Sequence, residues 1–184
     1  KQAAIVDAAR QQFLSKGFGG TTMEGVASAA GVSIATLYRH ARTKDDLFDE
    51  VVRLRHDPAA MAEGLAHMAK LPLAEALVAM GSGMLGLLLS PETLATHRMV
   101  IAEIERFPQL GKVVHDAILG HIEETLVTYL TGRIGADDAR RLGPEFIDRV
   151  IGDRQFLALL GVLPATGIEA ERTRIDAIVA DLFG

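Results

Sequence analysis

The chain has 184 residues, 49% of them hydrophobic, which is ample for a buried core and excludes a disordered composition. It contains no cysteine, so disulfide frameworks and thiolate metal sites are excluded and a reducing cytosol is compatible with it. The net charge is −5, yet residues 1–44 carry six Lys/Arg against two acids and the remaining 140 carry 13 against 22. A basic end on an acidic body is the footprint of a chain that offers one face to phosphate. In chain order, Ile5, Ala9, Phe13 and Leu14 recur at helical spacing and predict a first helix over Lys1–Lys16, with Gly17 as its C-cap. Phe18 is expected to pack back onto that helix. Lys1 in place of Met is read as a trimmed chain with room for a basic arm before it, and no secretory signal is visible.

Residues 21–44, TTMEGVASAAGVSIATLYRHARTK, predict two short helices joined by a tight turn. Thr21 is the expected N-cap, with Glu24 three residues on closing a capping box. Val26, Ala27 and Ala30 give the first helix a small apolar face. Gly31 ends it where a positive φ carries no Cβ penalty. Val32 is the apolar residue of the turn, and Ser33 N-caps a second helix from Ile34 to about Ala41. Leu37 faces inward, while Thr36, Tyr38, Arg39 and His40 face outward with few acids nearby. This is the pattern of a helix-turn-helix, whose second helix enters the DNA major groove. An ordinary αα-hairpin is the alternative reading of the same residues. Thr43 then opens a fourth helix, boxed by Asp46 and striped by Leu47, Phe48, Val51 and Leu54, ending near His56–Pro58.

His56–Pro72 reads either as a short helix or as a connection, and everything after it has helical period. Leu73–Leu89 puts Leu73, Leu77, Met80, Met84, Leu87 and Leu88 on one face. Pro91–Arg106 turns Leu94, Ile101 and Ile104 inward, and Phe107-Pro108 breaks it. Gln109–Thr131 carries Val114, Ile118, Ile122, Leu126 and Leu130. Gly132–Arg141 is looser, with room for helical turns, and Pro144–Val162 and Ile168–Phe183 are two final apolar helices joined at residues 163–167. The expectation is an all-α chain of about nine helices. It divides into residues 1–56, a three-helix helix-turn-helix DNA-binding domain with the fourth helix leading out of it, and residues 57–184, a helical ligand-binding and dimerisation domain. The longest uncharged run, Ala76–Ser90, is too short to span a bilayer, which takes about 20 apolar residues.

Gly81, Gly83 and Gly86 spell the dinucleotide fingerprint, but with no preceding strand the match is read as small residues for close helix packing. The six histidines contain no H-E-x-x-H and no i, i+4 pair, so no metal site is expected; no catalytic grouping and no cofactor are expected either. Tyr38, Arg39, His40 and Lys44 are the candidate DNA contacts, a solvated face being the plainer alternative. Arg39 suits bidentate reading of guanine and Lys44, at a helix N-terminus, suits phosphate. Met80, Met84, His97, Arg98 and His121 are candidates for a mostly apolar ligand pocket, although His97 and His121 also read as core histidines. The last two helices carry Phe146, Val150, Phe156, Leu157 and Leu160, then Ile175, Ile178, Val179 and Leu182. A helical hairpin apolar on so many sides is expected to pair with a second copy in a four-helix bundle, or else to close the chain's own core.

Residues 3–52 closely resemble the N-terminal domain of the tetracycline-repressor (TetR) family. The resemblance rests on the F-x-x-x-G-F ending of the first helix, the threonine pair, A-x-x-A-G-V-S, L-Y-x-H and K-x-x-L-F. Ala41 departs from it, standing where the family has a large apolar residue. The resemblance implies Thr22 and Thr36 as DNA backbone contacts and places Ser33 and Ala35 near the bases. It further implies a cytoplasmic, ligand-responsive regulator, a repressor, that binds double-stranded operator DNA as a homodimer and leaves it on binding a small-molecule inducer of unknown identity. No membrane partner is expected. Two other readings remain open: a helical small-molecule-binding or enzymatic protein that keeps the helix-turn-helix only as scaffold, and an architectural DNA binder that answers to no ligand.

Overall fold

The computed structural model describes residues 1–53, 63–64, 66–163 and 168–184. Leu54, the expected helix end near His56–Pro58, most of the His56–Pro72 stretch, the 56/57 domain boundary and the joint at 164–167 lie outside them. All regular structure among the described residues is helical: α1 (Gln2–Gly20), α2 (Met23–Ala29), α3 (Ile34–His40), α4 (Lys44–Arg53), α5 (Leu73–Leu88) and α6 (Pro91–Glu103). There follow α7 (Gln109–His115), a π-helical turn (Asp116–Gly120), α8 (His121–Ile134), α9 (Ala136–Ile151), α10 (Arg154–Leu160) and α11 (Ile168–Phe183). An N-terminal helix-turn-helix domain is thus followed by a helical C-terminal domain. No single helix among the described residues is long and apolar enough to cross a membrane.

The contacts group the chain into two compact units: Lys1–Asp57 with Ala95–Leu119, and Pro58–Leu94 with Gly120–Gly184. The first unit therefore includes 95–119 as well as the helix-turn-helix. Its core is built from Ile5, Ala9 and Phe13 of α1, Val26 of α2, Leu37 of α3, Leu47, Phe48 and Val52 of α4, and Leu110 and Val114 of α7. The Phe13 ring stacks on Phe18 at 5.7 Å, and Phe48 sets its edge against both, at 5.3 and 5.7 Å. Each such ring or Leu side chain contributes ~1.5–3 kcal/mol on burial. Gly17 does interrupt the first helix, with φ +74°, but one more turn continues to Gly20.

The second unit packs α5, α8, α9 and α11 together. Leu77, Leu85 and Leu88, Leu126 and Leu130, Phe146 and Val150, and Ile175 and Val179 are among its buried side chains. Gly81 marks a close approach: a Cβ there would meet Ile175 Cγ2 at 3.0 Å and Phe146 Cζ at 3.1 Å. Gly83 and Gly86 have open space around them.

Several sequence expectations are corrected. On α5, Leu73, Met80 and Leu87 are only half-buried and the inner face passes instead through Ala76, Val78, Gly81 and Leu85. On α6 the phase is wrong: Thr93, Thr96 and Val100 are buried, Leu94 is half-buried, and Ile101 and Ile104 are exposed, Ile101 by 59%. The helix also ends at Glu103 rather than Arg106. Ile122 is half-buried, and Gln109–Thr131 is no single α-helix, because the π-helical turn divides it. The helical turns considered possible in 132–141 are present on both sides of Gly135 and belong to α8 and α9. Pro144 lies inside α9, and the helix expected to run to Val162 is broken at Gly152, whose φ is +50°.

Candidate nucleic-acid interface

Local chemistry builds the two helices of the motif. Thr22, not Thr21, caps α2, its hydroxyl oxygen accepting the Gly25 N–H at 3.1 Å. Thr21 is buried and its hydroxyl donates to Gly17 O at 2.8 Å, and Glu24 remains in the first turn, where a negative charge suits the helix dipole. Ala30 is half-buried rather than part of the inner face. Gly31 takes φ +66°, and the Val32 N–H closes back on Ala27 O at 3.0 Å. Ser33 caps α3 as expected, accepting the Thr36 N–H at 3.1 Å, and the Ser33 and Thr36 hydroxyls lie 2.9 Å apart. Thr43 and Asp46 form a reciprocal box at the start of α4, both bonds 3.0 Å.

Leu37 is completely buried and anchors α3, leaving Ser33, Ile34, Ala35, Tyr38 and Arg39 exposed. Thr36 is half-buried, and Tyr38 is 46% exposed. Ala41 is buried at the C-cap of α3. An outward row of hydroxyl, aromatic and guanidinium groups on a capped helix can donate to base edges and phosphate oxygens.

Two candidates are engaged inside the domain. His40 Nε2 lies 2.7 Å from Glu50 Oε2, close enough to pair when protonated but not aligned as a hydrogen bond. Glu50 also accepts from Gln2 Nε2 at 2.7 Å. The Lys44 ammonium donates to Phe18 O at 2.7 Å and Thr21 O at 3.0 Å and stands 4.5 Å over the Phe18 ring. The expected phosphate contact through Lys44 competes with these bonds.

A match to the model described as "Bacterial regulatory proteins, tetR family" covers residues 5–51, and one to "AefR-like transcriptional repressor, C-terminal domain" covers residues 75–180. The chain belongs to the TetR family of transcriptional regulators. It is 24% identical over 134 residues, 73% of this chain and 67% of the other, to the uncharacterized HTH-type transcriptional regulator YhgD of Bacillus subtilis (strain 168). Among solved structures it is similar to the flavonoid-responsive regulator FrrA (27% identity, TM-score 0.75, 98% of this chain and 94% of that one). A TetR transcriptional regulator from Agrobacterium tumefaciens has the same fold (22% identity, TM-score 0.75, 98% and 93% coverage).

The other sites expected of a TetR-family chain are placed as follows. Met80, Met84 and His121 count with the second unit, His97 and Arg98 with the first. Met84 is buried, Met80 and His97 are half-buried, and Arg98 and His121 are exposed, so His121 is no core histidine. Of the expected dimer seam, Phe146, Val150, Ile175, Ile178 and Val179 are buried within a single chain. Phe156 and Leu160 are 64% and 59% exposed, and Leu157 and Leu182 are half-buried. Sequence reasoning missed Glu103 and Phe107, which meet the last turn of α1, beyond the kink at Gly17: Glu103 accepts the Gly19 N–H and the Phe107 ring packs against Phe18 at 5.0 Å. Glu103 and Gly19 stand 84 positions apart, and no local pattern signals the contact.

Proposed function

We propose that this TetR-family regulator is a homodimeric, ligand-responsive repressor. Its two α3 helices occupy successive major grooves of a near-palindromic operator, and a small molecule bound in the helical body releases it. The carrying observation is the capped α3 with Ser33, Ala35, Tyr38 and Arg39 exposed, with Thr22 and Thr36 beside them as backbone contacts. One such module gains few contacts alone, which favours a dimer on a two-fold site at ~34–36 Å separation. Of the expected seam residues, Phe156, Leu157, Leu160 and Leu182 keep apolar surface for the partner copy. In this reading the regulator works in the cytoplasm and carries out no catalysis, and residues 1–56 serve DNA while 57–184 serve ligand and dimer.

For the ligand, Met80 and Met84 supply adaptable walls, with His121 of the same unit as a candidate polar group. The response named for FrrA makes flavonoids the first molecules to try. Coupling of ~1–3 kcal/mol would lower operator affinity ~5–150-fold. Titrating the protein against genomic fragments, with competitor DNA and then with a small-molecule panel, tests the reading. Selective fragments released by a panel member support it. Equal binding of every fragment points to an architectural binder, and no binding at all to a scaffold-only helix-turn-helix. Met84→Trp should blunt release while fragment binding survives.

A further inference from the structure

Resting on the regulator reading above, we propose that Glu103 is a positioning residue for DNA binding, its carboxylate holding the corner from which the helix-turn-helix departs. That corner, Gly17-Phe18-Gly19-Gly20, is intrinsically loose, since glycines leave most backbone conformations open. Its backbone is held from two sides by opposite charges. The Gly19 N–H donates to both Glu103 oxygens, at 2.9 and 3.2 Å. The carbonyls of Phe18 and Thr21 accept from the Lys44 ammonium. Glu103 lies at the C-terminal end of α6, and its carboxylate fills space that side chains at the corner would take. A Cβ on Gly17 would overlap Glu103 Oε1, and one on Gly19 would come within 2.9 Å of Oε2 and 3.3 Å of Phe107 Cε2.

The corner leads directly into Thr22, the N-cap of α2. Its geometry therefore sets how α2 and α3 leave α1. A recognition helix that must be ordered during docking binds more weakly than one already in place. A carboxylate that takes the Gly19 N–H on both its oxygens supplies that order, and any shift of the last turn of α6 reaches the motif through it.

Duplexes enriched by the unmodified protein from a random-core library are the probe. Glu103→Ala should bind them about tenfold more weakly, as expected for one charge-assisted hydrogen bond. The salt slope and base preference should not change, because no phosphate or base contact is lost. Glu103→Gln keeps an acceptor oxygen and should recover most of the loss. Gly19→Ala displaces the carboxylate and should reproduce it, and the double variant should be no worse than either single one. The proposal is overturned if folded Glu103→Ala binds as the unmodified protein does, even with a lower melting temperature, because the role is then only structural. Should Glu103→Ala fail to fold, Gly19→Ala is judged by the same criterion. If the unmodified protein enriches no duplex, the regulator reading fails and the proposal falls with it.

Discussion

Arg39 and Lys44 are both basic and near neighbours in sequence, yet their surroundings assign them different work. Arg39 is exposed on α3, while the Lys44 ammonium is bonded to two carbonyls of its own domain. Arg39→Ala should relax preference at one base position by ~1–3 kcal/mol, read by competition between duplexes differing at single positions. Lys44→Ala should instead lower the unfolding free energy by ~1–2 kcal/mol, measured by denaturant titration, and leave the salt slope of duplex binding unchanged. A slope reduced by about one phosphate contact would instead place Lys44 on the DNA face. A third charged residue has a pH signature. The Asp116 carboxyl is held below its ordinary value, first by its bond to Lys112 and then by the bond to His115. A depressed folded-state pKa adds stability above the ordinary carboxylate range, near pH ~4, and that stability is lost as pH falls through the folded value. Lys112→Ala should therefore move the Asp116 titration upward, followed by carboxyl-carbon NMR, with no change in duplex binding at neutral pH.

At the scale of one element, α5 shows how a single motif can hold residues of different kinds. Its three glycines match a nucleotide fingerprint, but they sit in a helix interior and only Gly81 faces neighbours. Gly81→Ala should destabilise the chain by about 1 kcal/mol, the overpacking against Phe146 and Ile175 outweighing the gain in helix propensity. Gly83→Ala meets open space and should stabilise it by ~0.5–1 kcal/mol. Thermal melts of the pair, moving in opposite directions, check the assignment. Equal shifts would mean that Gly81 has room to spare. In α9, Pro144 is tolerated inside a helix although it removes a hydrogen bond, because Ala139, Phe146 and Val150 of the same helix are packed against its neighbours.

At the scale of the whole molecule, the residues that close the core must be separated from those left exposed. Phe156 and Leu160 are exposed in a single chain, whereas Val179 is 2% exposed inside the second unit. Leu160→Glu should keep native circular dichroism, sediment as a monomer and lose duplex binding. Val179→Glu should unfold the chain, since it buries an unpaired charge. A Leu160→Glu protein that still sediments as a dimer would move the seam elsewhere.

The helix-turn-helix was legible in the sequence because its determinants are local. The Ser33 cap, the Gly31 turn and the Thr43–Asp46 box each involve residues within a turn or two of one another. Even there, the choice between Thr21 and Thr22 as cap depended on Thr21 being drawn inward to Gly17. The helical period of the body was equally plain, but a period gives spacing without phase. Which side of α6 is inward was decided by its neighbours, and they cover Thr93, Thr96 and Val100 rather than Ile101 and Ile104. The clasp on Gly19 by Glu103, the capture of Lys44 by backbone carbonyls and the exposure of Phe156 were likewise settled only in three dimensions. Each depends on what distant parts of the chain bring to a surface, and charge or hydrophobicity along the chain carries no record of that. The sequence by itself determined the family and the recognition motif, because short-range hydrogen bonds and caps need only neighbouring residues. Tertiary structure decided which side chains remain exposed, because burial is a property of the packed surface rather than of the residue.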